Sequence, residues 1–160
     1  MTLKTNKIFP RDGKVSGAYG GIIQVVHSAS TSGGTINSTS YSDFLTAVIT
    51  PQSASNAILI QITFNANNAI NSDNTDRLRY QLNRTVGGSA TTLYSVTEAL
   101  VDYGDSSTGN IHIQGLGNNY VDTPATTSAV TYALRFSVNA GECNINNNGR
   151  TDIILMELAG

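Results

Sequence analysis

Apolar and polar residues alternate one for one along much of this chain. Val130, Tyr132, Leu134, Phe136 and Val138 are interleaved with Thr131, Ala133, Arg135 and Ser137, the period of two that sends successive side chains to opposite faces of a strand. Ile58, Ile60, Ile62 and Phe64 share one face of a second such segment. Leu78, Tyr80 and Leu82 share one face of a third, with Arg77, Arg79 and Gln81 opposite. Turn-forming clusters separate nine segments of this kind, predicted as strands over 22–27, 41–50, 57–65, 77–83, 92–97, 111–114, 129–138, 144–146 and 152–158. Many short strands with polar turns and no sustained helical period predict an all-β fold, an antiparallel β-sandwich of jelly-roll type.

The last segment departs from alternation. Ile153, Ile154, Leu155 and Met156 are consecutive, so both faces of that strand are apolar and both need cover. The sandwich core covers one. The other is expected against a neighbouring subunit, through Ile154, Met156 and Leu158, or beneath a loop of the same chain.

Composition agrees with a single folded domain. In 160 residues, Leu, Ile, Val and Phe number 39 and the formal net charge is −2, which lacks the disorder signature of low hydrophobicity with high charge. Asn, Ser and Thr together number 52, while charged residues make up 12%. That balance suits polar turns between strands and argues against long helices. No run of eighteen apolar residues is present, so no membrane-spanning helix is expected. No apolar stretch follows the N-terminal charges, so no secretory signal is expected and synthesis in a cytosol is the default.

Charge divides the chain into 1–21, an extended N-terminal arm, and 22–160, the sandwich domain. Lys4, Lys7, Arg11 and Lys14 against Asp12 give the arm +3, and the remainder carries −5. Pro10 and the glycines Gly13, Gly17, Gly20 and Gly21 interrupt any apolar period there.

Candidate chemistry is sparse, and the sequence predicts no catalytic residue, no metal site and no cofactor. Cys143 is the single cysteine, so it has no intrachain disulfide partner and no zinc-ligand spacing around it. Gly104, Gly109, Gly115 and Gly117 precede no helix that could cradle a phosphate and read as turn punctuation. His27 and His112 are the only histidines. His112 alternates with Ile111 and Ile113, and symmetry could gather such imidazoles around a metal or make a pH switch. Asp102 and Asp105 select no glycosidase pair. Asp73, Asn74 and Asp76 could offer oxygen ligands to calcium but do not match the EF-hand spacing, so solvated turn residues are the simpler reading. The basic arm has no adjoining basic patch, which favours an acidic protein surface over nucleic acid as its partner. The asparagine-rich stretches 65–74 and 144–148 read as turns.

Two stretches carry a family resemblance. The ending AVTYALRFSVNAGECNINNNGRTDIILMELAG, with the leader Leu3-Lys4-Thr5-Asn6-Lys7-Ile8-Phe9-Pro10, Asp12-Gly13 and Gly20-Gly21-Ile22-Ile23-Gln24-Val25, resembles small virion-surface β-sandwich proteins of marine and cyanobacterial tailed phages. The resemblance implies a non-enzymatic virion structural protein, assembled in the host cytoplasm as a homotrimeric projection. It would be a capsid decoration or head fibre bound to a capsid or tail protein, and Leu3, Lys4, Lys7, Ile8, Phe9 and Pro10 would anchor it. A host-surface glycan is a further expected partner, met by loops 66–76 and 103–110, and neither nucleic acid nor a membrane is expected. A small tail fibre, a free-standing carbohydrate-binding module and a polysaccharide-degrading enzyme are the competing expectations.

Overall fold

A computed structural model describes residues 20–69, 77–101, 110–146 and 149–160. Ten strands follow one another, and no helix occurs among the described residues: β1 (Ile22–Ser30), β2 (Gly34–Ile36), β3 (Ser42–Ile49), β4 (Ala57–Ala69), β5 (Arg77–Val86), β6 (Ser89–Val101), β7 (Asn110–Asp122), β8 (Val130–Val138), β9 (Glu142–Ile145) and β10 (Thr151–Leu158). They form two antiparallel sheets packed as a β-sandwich. The second sheet has the order β3-β8-β5-β6.

The first sheet contains six strands but is four positions wide. β7 runs along β4 from Ile58 to Ala69, while β10 pairs with its first half and β9 with its second. A strand has two edges, so β9 and β10 must share the edge opposite β7. β1 pairs with β10 and β2 with β9 in the same way. The sheet therefore reads β1/β2, β9/β10, β4, β7, with two of its four positions filled by an interrupted strand.

The predicted inward faces meet in one core. Ile58, Ile60, Ile62 and Phe64 from β4, Leu78, Tyr80 and Leu82 from β5, and Val130, Tyr132, Leu134, Phe136 and Val138 from β8 are buried together with Ile153 and Leu155. Phe64 of the first sheet meets Phe136 and Tyr80 of the second edge to face, at 4.9 and 5.2 Å between ring centroids, a geometry worth about 1 kcal/mol per pair beyond area burial.

Several boundaries differ from the sequence reading, each for a physical reason. Ala66 to Asn68, read as turn residues, continue β4, because β7 on one edge and β9 on the other pair with them. Gly115 and Gly117, read as punctuation, lie inside β7. Gly115 takes φ +71° at a β-bulge opposite Asn65, where a side chain would be strained. Gly117 passes so close to β4 that a Cβ would stand 2.8 Å from the Ile62 carbonyl oxygen. The short strand β2 carries too few residues to show a period. In the 144–148 stretch, Asn144 is in β9, while Asn146 takes the left-handed φ of 60° expected of an asparagine turn.

Candidate functional site

Alternation along β10 resolves its two apolar faces. Ile153 and Leu155 are buried, while Ile154, Met156 and Leu158 turn outward and are half-buried. β10 is flanked by β1 and β4, so the outward residues lie in the middle of the sheet rather than on its rim. Register then assembles a row across four strands. Val25 lies opposite Met156, Met156 opposite Leu59, and Leu59 opposite Val121. Val25 is 56% exposed and Val121 44%, and Ile22, paired with Leu158, is 58% exposed. Single exposed apolar residues are ordinary on a surface, but a contiguous patch on one sheet face marks an interaction site.

Further along the same face the chemistry becomes polar. His27 lies opposite Ile154, and its Nε2 is 2.7 Å from Asp152 Oδ1. Arg150 Nε donates to Asp152 Oδ2 at 2.7 Å. The Arg150 hydrogen bonds, with a lesser contribution from His27, outweigh the opposing effect of burial and hold the Asp152 carboxyl below its ordinary range. Beside this cluster a depression of about 230 Å³ is bordered by Gln61, Thr63, Gly117, Asn118, Asn119, Asp152 and Ile154.

The side of the second sheet away from the core is mostly polar at its centre, where Ser137, Ala133 and Asn83 are buried. Ser137 lies opposite Arg79, Arg135 opposite Gln81, and Ala133 opposite Asn83. Arg79 Nη2 donates to the Val138 carbonyl and Arg135 Nη2 to the Tyr41 carbonyl, each at 2.9 Å.

Two buried polar clusters fasten the sandwich. Asp122 Oδ1 accepts from Arg84 at 2.8 Å and Asp122 Oδ2 from the Tyr132 hydroxyl at 2.8 Å. Burial pushes the Tyr132 phenol far above its ordinary range, and the Asp122 carboxylate adds to the effect. Glu157 is fully buried. Its carboxylate accepts from Asn56 Nδ2 at 2.6 Å, from Gln24 Nε2 at 2.5 Å and from the Gln52 backbone at 2.7 Å. Desolvation raises its pKa, yet these donors and the Ser53 backbone together outweigh it and hold the carboxyl below its ordinary range. Cys143 is buried, donates to the Asn67 carbonyl at 3.0 Å, and burial pushes its thiol up to about 12. Its role is that of a small core residue.

Of the sequence candidates, Ile154, Met156 and Leu158 fall together on one face. Leu3, Lys4, Lys7, Ile8, Phe9 and Pro10 lie outside the described residues, as do Asp73, Asn74, Asp76, Asp102 and Asp105 and the side chain of His112. Ala66 to Ala69 of the expected first loop belong to β4. Among the described residues no group of three or more His, Cys, Asp or Glu could hold a metal ion. Sequence reasoning passed over Glu157, although its parity with Ile153 and Leu155 already turned it inward. Asp122 offered no such signal, because its partners come from two other strands.

No protein-family model matches the chain, and no curated protein sequence is similar to it.

Proposed function

We propose that this chain is a non-enzymatic structural protein of a bacteriophage virion, a trimeric surface projection of the capsid-decoration or head-fibre type. The observation that carries the reading is the row Val25, Met156, Leu59 and Val121, with Ile154 and Leu158 beside it, left outward in the middle of the first sheet. An outward apolar band of this kind is stabilised when copies of the chain cover it. Strand order adds support. With β1/β2 and β9/β10 each counted once, eight strands form two four-stranded sheets, and every connection except the β5–β6 hairpin crosses between them. That order supports reading the sandwich as a jelly roll, a fold used by viral capsid domains. The sequence resemblance supplies the phage context and the anchoring role of residues 1–21. Three arms on one trimer would raise the effective concentration of each successive contact, so modest affinities would combine into stable attachment.

Cryo-electron microscopy of the phage particle that encodes this chain tests the reading. Density for the sandwich repeated over the capsid lattice in threefold clusters is the expected result. Density confined to the tail would move the assignment to a tail fibre, and absence from the particle would overturn it.

A further inference from the structure

We infer that the depression on the outward face of the first sheet binds one neutral sugar unit of a glycan, with Gln61, Thr63 and Asn119 hydrogen-bonding its hydroxyls and Ile154 packing against its C–H groups. A single chain forms this depression, so the inference does not rest on the virion reading or on trimer formation.

Strand register sets the floor. Asp152 lies opposite Thr63 and Thr63 opposite Gly117, while in the next row Ile154 lies opposite Gln61 and Gln61 opposite Asn119. All six border the depression of about 230 Å³. Neighbouring strands stand about 4.8 Å apart and side chains on one face recur about every 6.8 Å along a strand, so the grid has the footprint of one pyranose ring. Its volume also falls below the roughly 300–1,000 Å³ of sites for drug-sized ligands. Gly117 makes the hollow: its neighbours on this face carry side chains, whereas a Cβ at Gly117 would stand 2.8 Å from the Ile62 carbonyl oxygen.

The polar groups around the depression are accessible. Thr63, Gly117 and Asn119 are exposed, and Gln61, Asp152 and Ile154 are half-buried. Among the described residues no other group bonds to the side-chain amides of Gln61 and Asn119 or to the Thr63 hydroxyl. Each of these three both donates and accepts, as sugar hydroxyls do. The charge at the border is already balanced. Arg150 donates to both Asp152 oxygens, and His27 Nε2 lies 2.7 Å from one of them. A charged ligand therefore meets no unpaired counter-charge, which disfavours phosphates and acidic sugars. An added peptide strand needs a sheet edge for its backbone, and this depression lies on the face. With no aromatic ring along its border, one site is expected to hold a methyl hexoside with a Kd on the order of 1–10 mM.

The test is titration of the ¹⁵N-labelled full chain with the methyl glycosides of glucose, galactose, mannose and N-acetylglucosamine, followed by two-dimensional NMR, with methyl glucuronide as the charged control. Saturable shifts with at least one neutral glycoside are expected, largest at the backbone amides of Thr63, Gly117, Asn119 and Asp152. Affinity is expected to fall about fivefold in T63V and in N119A, with melting temperatures unchanged because both side chains are exposed. Either variant suffices if the other fails to fold. Saturation by none of the four glycosides, shifts centred elsewhere, glucuronide bound as tightly as the best neutral sugar, or affinity unchanged in the folded variants would each overturn the inference.

Discussion

Tyr132 donates its phenol to Asp122 at 2.8 Å, tying a central strand of one sheet to the last residue of a strand in the other. Arg84 of β5 holds the same carboxylate, so the pair is the visible half of a three-residue clasp. In Y132F the ring still fills its site and Asp122 keeps its arginine, so the expected cost is about 1 kcal/mol. D122A leaves both the phenol and the guanidinium without their acceptor, and about 3 kcal/mol is expected. Urea denaturation of the two variants checks the order. Equal costs would mean that the Arg84 bond to Asp122 adds nothing to stability beyond the phenol bond.

Glu157 makes the sandwich acid-sensitive. Its folded pKa is held below the unfolded value of about 4.3, so the stability it contributes is fully present above that value and is lost as pH falls through the folded pKa. Asp152 acts in the same direction. E157Q places amide hydrogens against Asn56, Gln24 and the Gln52 backbone, donors all. The variant is expected to melt below the parent at neutral pH, with the gap closing as pH drops below about 4. Melting curves across that range check it, and a gap that stays constant would exclude the linkage.

Where alternation was strict, the sequence specified the fold closely, because one buried face fixes both register and side. β5 and β8 point inward the residues that their period assigned, and Arg79, Gln81 and Arg135 point outward. The consecutive apolar run of β10 was equally informative, since Ile154, Met156 and Leu158 came out on the outward face and only half-buried. Asparagine and glycine were read by their local preference for turns, and at Asn67 and Gly117 pairing to neighbouring strands overrode it. The clasp at Asp122 and the depression beside Asp152 depend on which strands become neighbours, and no single segment carries that information.

Gly117 offers a test of that override. A Cβ there would press on backbone, the Ile62 carbonyl oxygen, which has no rotamer by which to yield. G117A is expected to cost about 1–3 kcal/mol by forcing β7 away from β4. G21A, whose Cβ would meet nothing within 4 Å, is the control and should leave the melting temperature unchanged. Matching behaviour of the two variants would show that β7 has slack at this point.

The outward row on the first sheet makes the sharpest prediction about assembly. Val25 and Met156 face each other across β1 and β10, and Val25 is more than half exposed while Met156 is half-buried, so a glutamate at position 25 meets water in a free chain at little cost to folding. In an assembly that buries this row, the same glutamate would be desolvated without a partner, a penalty large enough to prevent association. V25E is therefore expected to sediment as a monomer with a melting temperature close to that of an isolated parent chain, while the parent is expected to sediment at three times the monomer mass. Val48 supplies the control. It is 50% exposed on β3 of the second sheet, between the buried Ala47 and Ile49, so V48E carries the same charge on the opposite side of the sandwich. Trimers of V48E alongside monomers of V25E would locate the interface on the first sheet, whereas identical masses for both variants would remove that face from the assembly.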